Sequence, residues 1–181
     1  MGPAQDERRG TARTGDAVTS APALAIALAD YRDPRDAADV VALLDAYARD
    51  PMGGSEPLPE DVKTRLTGEL AKNPHAFSLI ARLGGEAVGL ANCFVGYSTF
   101  AAAPLVNIHD LAVLPGHRGA GIGKALLGAV EAEALKRGAC KITLEVLTGN
   151  PARHLYEREG FGDYQLDPGT GHALFWQKRL T

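Results

Sequence analysis

The chain has 181 residues, of which 45% are hydrophobic and 23% are charged, values that are ordinary for a soluble globular domain. A chain of this length can bury a substantial core, so it needs no disulfide or metal for stability. Its net charge of −3 argues against a nucleic-acid-binding protein, because such proteins usually carry a clustered basic excess.

The N-terminal residues divide into a polar tail and a first strand. Residues 1–22 have no apolar period and predict a disordered tail, whereas residues 23–181 predict a single domain. The apolar run over about 23–29 loosely resembles a secretory signal, but it continues directly into a helix start, as a strand would. No run reaches the roughly 18 apolar residues of a membrane helix, so we expect no membrane association.

Two helices are predicted next, with a loop between them. Asp33 suits the cap of the first helix and Pro34 its first position, and the helical spacing continues to about residue 49. Segment 50–57 is dense in proline and glycine and cannot continue the helix. The second helix is predicted over about 59–73.

The remaining elements mix hairpins with a strand–helix–strand crossover. They are predicted as strands 77–83, 87–95 and 106–113, helix 122–137, strand 141–147, a short helix between Asn150 and Gly160, and strands 161–166 and 172–180. This order predicts a mixed sheet and an α/β (α+β) class.

A glycine-rich turn, Arg118-Gly119-Ala120-Gly121-Ile122-Gly123, lies between a strand and a helix. Such a turn exposes backbone N–H groups at the positive end of the helix dipole, and Arg118 and Lys124 add charge for an anion. A Walker loop is excluded because Ala125 follows Lys124. A dinucleotide fingerprint is excluded because its third glycine would fall on Lys124 or Leu126. A purely structural turn remains an alternative.

Two segments resemble the signatures of the GNAT superfamily of N-acetyltransferases. The family pattern [RQ]-x-x-G-x-[GA] is matched by Arg118, Gly121 and Gly123, after a strand that ends at Val113. The segment 150–161, with its Leu-Tyr pair before Gly-Phe, resembles the second signature. The resemblance covers about residues 23–180 and implies a mostly antiparallel sheet of six to seven strands with helices on both faces.

The resemblance also implies a cofactor, acetyl-CoA, and the residues that would bind it. Leu111, Ala112 and Val113 would pair with the pantetheine arm like an added strand. Asn150 would approach the pantetheine, and Tyr156 would lie near the thioester sulfur. The backbone that would hold the pyrophosphate is that of Arg118, Gly119, Ala120, Gly121, Ile122, Gly123 and Lys124.

The family acetylates amines by direct attack within a ternary complex, which implies an acid and a base. Tyr156 is the candidate acid, and a tyrosine packed on the core is the alternative. Candidates for the base are His109, Asp110 and Glu145, with a water chain as a further possibility. Strand neighbours face opposite ways, so His109 and Asp110 cannot both face the substrate.

The acceptor site is expected from the loop between the first two helices and from the final hairpin. Its candidate residues are Met52, Gly53, Gly54 and Glu56 in the loop, with Tyr97 and Phe100 lining the same cleft. The expected acceptor is a primary amine of a small molecule. Alternatives are a protein N-terminus or lysine, and a non-catalytic acyl-CoA-binding module. The family also suggests a homodimer.

The cysteine and histidine spacings indicate no metal site. Cys93 and Cys140 form no CxxC or Cys/His pattern, and both are interpreted as small apolar core residues. The sequence therefore predicts a disulfide-free cytoplasmic protein without a bound metal.

Overall fold

A computed structural model of the chain describes residues 22–164, 169, 171 and 173–180. Its elements are β1 (Leu24–Leu28), α1 (Pro34–Ala48), α2 (Glu60–Leu70), β2 (Ala76–Leu83), β3 (Glu86–Ser98), β4 (Ala103–Val113), a 3₁₀ turn (Pro115–His117), α3 (Ile122–Lys136), β5 (Ile142–Leu144) and α4 (Arg153–Arg158). The predicted order is confirmed from β1 through α4. The observed bounds differ most from the predicted ones at β5, which is shorter than the predicted strand 141–147.

The two final strands of the prediction are not found among the described residues. Residues 161–164 and 173–180 belong to no strand there, and the rest of the predicted hairpin lies outside the described residues. Leu174, Phe175 and Trp176 keep their side chains exposed. Alternating apolar residues form a strand only where a neighbouring strand accepts their backbone hydrogen bonds. The described residues therefore contain five strands, not the predicted six to seven.

The sheet is mixed and mostly antiparallel, as predicted. Its strand order is β1-β2-β3-β4-β5. The pairs from β1 to β4 are antiparallel, and β4 and β5 are parallel. The parallel pair follows from the crossover through α3, because a helix between two strands returns the chain in its original direction.

Alternating side chains of the central strands belong to two separate hydrophobic cores. Ile80 and Leu90 pack with Val40 and Leu43 of α1 on one face. On the other face, apolar residues of the same strands pack with Leu126 and Val130 of α3, and α4 adds Tyr156. Because neighbours on a strand point to opposite faces, α1 and α3 cover opposite faces of the sheet.

The start of α1 is fixed by its predicted cap. The Asp33 carboxylate accepts hydrogen bonds from the N–H groups of Arg35 and Asp36, both at 2.9 Å. Pro34 at the first helical position has no N–H to satisfy. This cap sets the direction in which α1 leaves the sheet and carries its C-terminal end towards β4.

Close packing at Gly89 in β3 positions α3 against the sheet. A Cβ atom at residue 89 would lie 3.1 Å from Leu126 Cδ1, 3.2 Å from the Ala112 oxygen and 3.3 Å from Ile122 Cγ2. Three neighbours on two elements would therefore have to move for any other residue. The absence of a side chain here lets the first turns of α3 approach β3 and β4 closely.

We expect Gly89→Ala to lower the free energy of unfolding by about 1–3 kcal/mol, the usual cost of overpacking a core. Urea denaturation followed by circular dichroism would measure it. Gly68→Ala in α2 is the matched control, because its new Cβ meets nothing within 4 Å. The control should stabilise by roughly 0.5–1 kcal/mol through helix propensity. An equal response of the two variants would contradict the packing argument.

Candidate functional site

Strands β4 and β5 pair over a short stretch and then separate, which leaves one edge of β4 open. Their pairing ends at Ile108 and Leu144, where β5 also ends, whereas β4 continues to Val113. Residues 109–113 therefore have β3 on one side and no strand on the other within the described part of the chain. The unpaired stretch contains the predicted cofactor residues Leu111, Ala112 and Val113.

A bulge at His109 decides which amides face the open edge. The Val106 N–H donates to the Lys141 oxygen on the β5 side, and the Leu114 N–H donates to the Val88 oxygen on the β3 side. The N–H groups of successive residues point to opposite sides of a regular strand. In a strand without a bulge, the N–H groups of residues 106 and 114 would therefore point to the same side. The register shifts where His109 has no partner in β3. The N–H groups of Leu111 and Val113 therefore face the open edge.

The glycine-rich turn ends at the N-terminus of α3, beside this edge. Gly119 and Gly121 both have φ of +80°, a left-handed conformation that other residues rarely adopt. Gly121 is the N-cap of α3, and no side chain caps this helix. A Cβ at either glycine would meet nothing within 4 Å. The first N–H groups of α3 thus face open space at the positive end of the helix dipole, a good site for an anion.

The two positive side chains of this turn are paired with carboxylates. Arg118 donates from Nε to the Val113 oxygen at 2.9 Å and from a terminal nitrogen to Asp50 Oδ2 at 2.8 Å. Lys124 Nζ lies 3.0 Å from Glu159 Oε1. In this arrangement the backbone amides remain the principal donors for an anion, and Arg118 joins the end of β4 to the loop after α1.

Asp50 organises the loop between α1 and α2. Its side chain accepts from the Met52 N–H at 2.9 Å, and its backbone oxygen accepts from the N–H groups of Gly53, Gly54 and Ser55 at 2.8–3.1 Å. A Cβ at residue 53 would lie 2.0 Å from the backbone oxygen of Tyr47, so Gly53 packs directly on the end of α1. The predicted acceptor loop is therefore an ordered turn fastened to β4 through Arg118.

We expect Asp50→Ala to speed amide hydrogen exchange at residues 52–55 by roughly tenfold, because the loop loses its side-chain anchors. Glu56→Ala, which changes an exposed carboxylate of the same loop, should leave these rates unchanged. The Met52 N–H, followed by the Arg118 guanidinium, lowers the pKa of Asp50. The ionised Asp50 therefore stabilises the folded state. Its contribution to stability is complete above the unfolded pKa of about 3.9 and disappears as pH falls through the lowered pKa of the folded state. Equal exchange rates in both variants would contradict the anchoring role.

Tyr156 of α4 belongs to the apolar cluster against which Leu111 and Val113 of β4 pack. Its ring is buried and packs edge-on against Phe161, with the centroids 6.0 Å apart. Burial, with a smaller contribution from Tyr47, raises the pKa of Tyr156 to about 12. Burial also raises the pKa of Tyr47, and Asp110 and Asp50 raise it further. Tyr47 therefore lies within electrostatic range of Tyr156, Asp110 and Asp50.

The three candidate bases have different surroundings. Asp110 is half-buried and accepts a hydrogen bond from Asn92 Nδ2 at 3.0 Å. His109 is exposed in the bulge, and its ring contacts Phe94 edge-on at 5.6 Å. Phe94 and Asn92 lie two positions apart in β3, so His109 and Asp110 lie on the same face of the sheet. The expectation that they face opposite ways is wrong, because the bulge interrupts the alternation. Glu145 is exposed and accepts from Asn107 Nδ2 at 3.2 and 3.3 Å. Among the three, Asp110 is the one that is half-buried and hydrogen-bonded to a buried side chain.

The predicted acceptor residues fall into two places. Met52, Gly53, Gly54 and Glu56 belong to the ordered loop beside Tyr47. Tyr97 and Phe100 lie at the far end of the β3–β4 hairpin, with 62% and 92% of their surfaces exposed. Tyr97 is five residues from Asn92, the partner of Asp110, and thus about 16 Å away along β3.

Asn150 forms the turn before α4 and is not its cap, contrary to the prediction, because the helix begins at Arg153 with Ala152 as its N-cap. Its Oδ1 accepts from the Ala152 N–H at 2.9 Å, and its backbone oxygen accepts from the Arg153 N–H at 3.1 Å. This hydrogen bonding uses the Asn150 side-chain oxygen within the turn. The α4 that follows carries Leu155 against Gly123, where a Cβ would lie 3.0 Å from Leu155 Cδ2, so α4 packs on the first turn of α3.

The sequence does not indicate a role in this region for four of its residues. Tyr47 lies within the predicted first helix and Asp50 at the start of the predicted loop. Ser78 and Asn92 lie within apolar strands, although both are buried and hydrogen-bonded to each other. A polar residue within an apolar strand was the available signal for those two.

The described residues contain neither a membrane-spanning helix nor a metal-binding cluster. No helix there is both long enough and apolar enough to span a bilayer. No group of three or more histidine, cysteine or acidic side chains gathers in a metal-binding arrangement in residues 22–164 or the few described after them. Cys93 is buried, and burial raises the pKa of its thiol to about 12, whereas Cys140 is exposed, contrary to its interpretation as a core residue.

The fold is shared with solved N-acetyltransferases. A ribosomal-protein-alanine N-acetyltransferase from Brucella melitensis biovar Abortus 2308 matches with a TM-score of 0.60 and 26% identity, over 80% of this chain and 99% of that one. The aminoglycoside N-acetyltransferase AAC(6')-Iy, in complex with CoA, has the same fold with a TM-score of 0.71 and 20% identity, over 90% of this chain and 99% of that one.

The chain belongs to the acetyltransferase (GNAT) family, whose family model matches residues 40–161. Acetyl-CoA is the acetyl donor of this family. A streptothricin acetyltransferase from Streptomyces lavendulae is 43% identical over 79 residues, which are 39% of this chain and 42% of that protein. The [ribosomal protein bS18]-alanine N-acetyltransferase of Haemophilus influenzae is 37% identical over 60 residues, 33% and 41% of the two chains. The matched regions thus span about two fifths of these relatives.

Proposed function

We propose that the chain is an N-acetyltransferase that transfers the acetyl group of acetyl-CoA to a primary amine of a small molecule. One observation carries the proposal: the open edge of β4 meets the uncapped N-terminus of α3 beside a buried tyrosine, Tyr156. An anionic ligand with a long, hydrogen-bonding arm fits this combination, because its anion and its arm have separate partners.

The residues present fit acetyl-CoA. The diphosphate would bind the free N–H groups at the start of α3, where Gly119 and Gly121 keep the approach open. The pantetheine amides would pair with the unpaired edge of β4 at Leu111 and Val113. Arg118 supports this arrangement indirectly, since its hydrogen bond to the Val113 oxygen holds the end of β4.

Acetyl-CoA supplies a thioester carbonyl and a thiolate leaving group. Of the N–H groups of Leu111 and Val113, the one that does not pair with a pantetheine amide would donate to the thioester carbonyl oxygen as negative charge develops on it. Tyr156 would give its proton to the departing sulfur, whose thiol has a pKa of about 8.5. An alkyl ammonium has a pKa of about 10.4 and must lose a proton before it can attack. Asp110 is the group that we assign to take that proton, because it is oriented and near Tyr47.

The surroundings of Asp110 favour a cationic small molecule as the acceptor. The loop 50–56 is an ordered turn held to β4 through Arg118 and Asp50, which would leave a limited opening beside Asp110. Glu56 is an exposed carboxylate of this loop, and Glu145 is an exposed carboxylate bonded to Asn107, three positions before Asp110 in β4. The local similarity to a streptothricin acetyltransferase supports a small amine, and the similarity to a protein-alanine acetyltransferase supports a peptide as the second candidate.

The test is a thiol-release assay with acetyl-CoA and a defined panel of amines. The panel contains streptothricin, the aminoglycoside sisomicin, spermidine and a peptide that begins with alanine. We expect amine-dependent release of CoA with at least one small amine and acetylated product by mass spectrometry. Release with the peptide alone would replace the small-molecule assignment. Calorimetric binding of acetyl-CoA without release for any member would indicate a non-catalytic binding module.

A further inference from the structure

A row of polar side chains crosses the sheet beneath α1 and ends at Asp110. Ser78 in β2, Asn92 in β3 and Asp110 in β4 are direct cross-strand neighbours. Ser78 and Asn92 are only 1% and 5% exposed. Tyr31, which follows β1, extends the row because its hydroxyl lies 2.8 Å from Ser78 Oγ. The row therefore runs from the β1 side of the sheet to the open side of β4.

The direction of every hydrogen bond in this row can be deduced. Ser78 Oγ lies 2.6 Å from Asn92 Oδ1, and an amide oxygen only accepts, so the serine donates. The single hydroxyl hydrogen of Ser78 is then used, so Tyr31 must donate to Ser78. Asn92 Nδ2 donates to Asp110 Oδ2 at 3.0 Å. Burial raises the pKa of Tyr31, which keeps its phenol protonated as this direction requires.

The orientation of the Asn92 amide is fixed by both of its partners. A flipped amide would place its oxygen against the Asp110 carboxylate, so that two acceptors would face each other at 3.0 Å. The assigned orientation avoids this and satisfies all three contacts at once. Each donor in the row consequently points towards Asp110, and the carboxylate is the terminal acceptor.

The row lies among positions where apolar residues provide stability, so packing alone does not explain why its residues are polar. Ile80 and Leu90 are fully buried on the same face of the same strands, where apolar packing alone provides stability. A polar group in such a place is costly unless it is hydrogen-bonded, and a fully apolar row would avoid that cost. The row also does not close on itself, since it ends on the half-buried carboxylate beside the proposed cleft.

We propose that Asn92, Ser78 and Tyr31 are positioning residues that hold the Asp110 carboxylate in a single rotamer facing the acceptor amine. This inference rests on the proposed function, in which Asp110 takes the amine proton. The Asp110 side chain projects from an edge strand beside a bulge, so its orientation depends on a partner in β3. A carboxylate displaced by about 1 Å from its productive position can lose roughly 100-fold in rate.

The test compares Asn92→Leu and the milder Ser78→Ala with the wild-type chain. Ser98→Ala is the control, because Ser98 is a buried serine of β3 whose hydroxyl bonds only the nearby turn at Ala101 N. The first readout needs no ligand: three-bond NMR couplings of the Asp110 carboxyl carbon to the backbone report its rotamer. We expect one rotamer in the wild type and the control, and averaged couplings in both variants.

The second readout is kinetic and uses the panel amine that the wild-type chain acetylates fastest. We expect kcat to fall roughly 10-fold in Ser78→Ala and 100-fold in Asn92→Leu, with the KM for acetyl-CoA within about twofold. In an Asp110→Asn background, Asn92→Leu should cause less than about a twofold further loss, because the two residues act as a unit.

Several outcomes would overturn the inference. They are unchanged couplings in a folded Asn92→Leu protein, averaged couplings without a kinetic effect, or a full additional loss in the Asp110→Asn background. Should Asn92→Leu not fold, Ser78→Ala and its control decide by the same two readouts. If the wild-type chain acetylates no amine of the panel, the proposed function fails, and the inference, which needs Asp110 to act on the amine, fails with it. The coupling readout then still separates an oriented carboxylate from an unoriented one.

Discussion

Gly121→Glu should raise the Kd of acetyl-CoA at least about 100-fold, a loss of roughly 2.7 kcal/mol. Three effects add in the same direction. Residue 121 has φ of +80°, which costs an L-residue about 1–2 kcal/mol. The new side chain would occupy the open space before α3, and its carboxylate would repel the diphosphate. Isothermal titration calorimetry with acetyl-CoA measures the change.

Gly128→Glu is the matched control for this substitution. Gly128 lies in the same helix and is exposed, and a Cβ there meets nothing within 4 Å, but it is two turns from the N-terminus. Its Kd should stay within about twofold of the wild type. Gly121→Ala separates strain from charge and should weaken binding about tenfold. An unaltered Kd for Gly121→Glu would remove this turn from the cofactor site.

Tyr156→Phe should lower kcat roughly 100-fold and leave the Kd of acetyl-CoA within about twofold. Only the hydroxyl is lost, and the ring keeps its edge-on contact with Phe161. The control is Tyr164→Phe, whose tyrosine is exposed and lies over the Lys141 ammonium at 5.6 Å. Steady-state kinetics measures kcat, and calorimetry measures the Kd of acetyl-CoA. Parallel losses in kcat and affinity would assign Tyr156 to binding and not to proton donation.

The pH dependence of the same reaction carries a further check on Tyr156. Because burial raises its pKa to about 12, the phenol stays protonated well above the pKa of about 10 of a free tyrosine. A proton donor is therefore retained as pH rises from 7 to 10. The kcat of the wild-type chain should therefore not fall between pH 7 and 10 through loss of the Tyr156 proton. A fall in kcat that is present in the wild type and absent in Tyr156→Phe would contradict this prediction.

The parts of the fold that the sequence predicted correctly are those with local causes. Asp33 and Pro34 mark the start of α1 through chemistry contained within four residues. The turn from Arg118 to Gly123 was found because its glycines and its place between a strand and a helix are visible in one short segment. The predicted edge at Leu111 and Val113 follows from the family signature, and the structure supplies its geometric basis.

The parts that the sequence did not reveal depend on distant residues. Arg118 and Asp50 are 68 positions apart, and nothing local to either indicates their ion pair. The bulge at His109 exists because β4 has one residue more than β3 over the same ladder, a comparison that requires the pairing to be known. The predicted terminal hairpin illustrates the converse, since an alternating pattern without a known neighbour does not establish a strand.

The extra residue in β4 places two consecutive side chains on the α1 face of the sheet. His109 contacts Phe94 and Asp110 bonds Asn92, and these two partners lie two positions apart in β3 and so share a face. Without residue 109, Ile108 and Asp110 would be adjacent and could keep their present partners in β3. The outward amides and the apolar side chains beyond would then keep their directions, so shortening β4 by this one position would remove an imidazole and preserve the open edge.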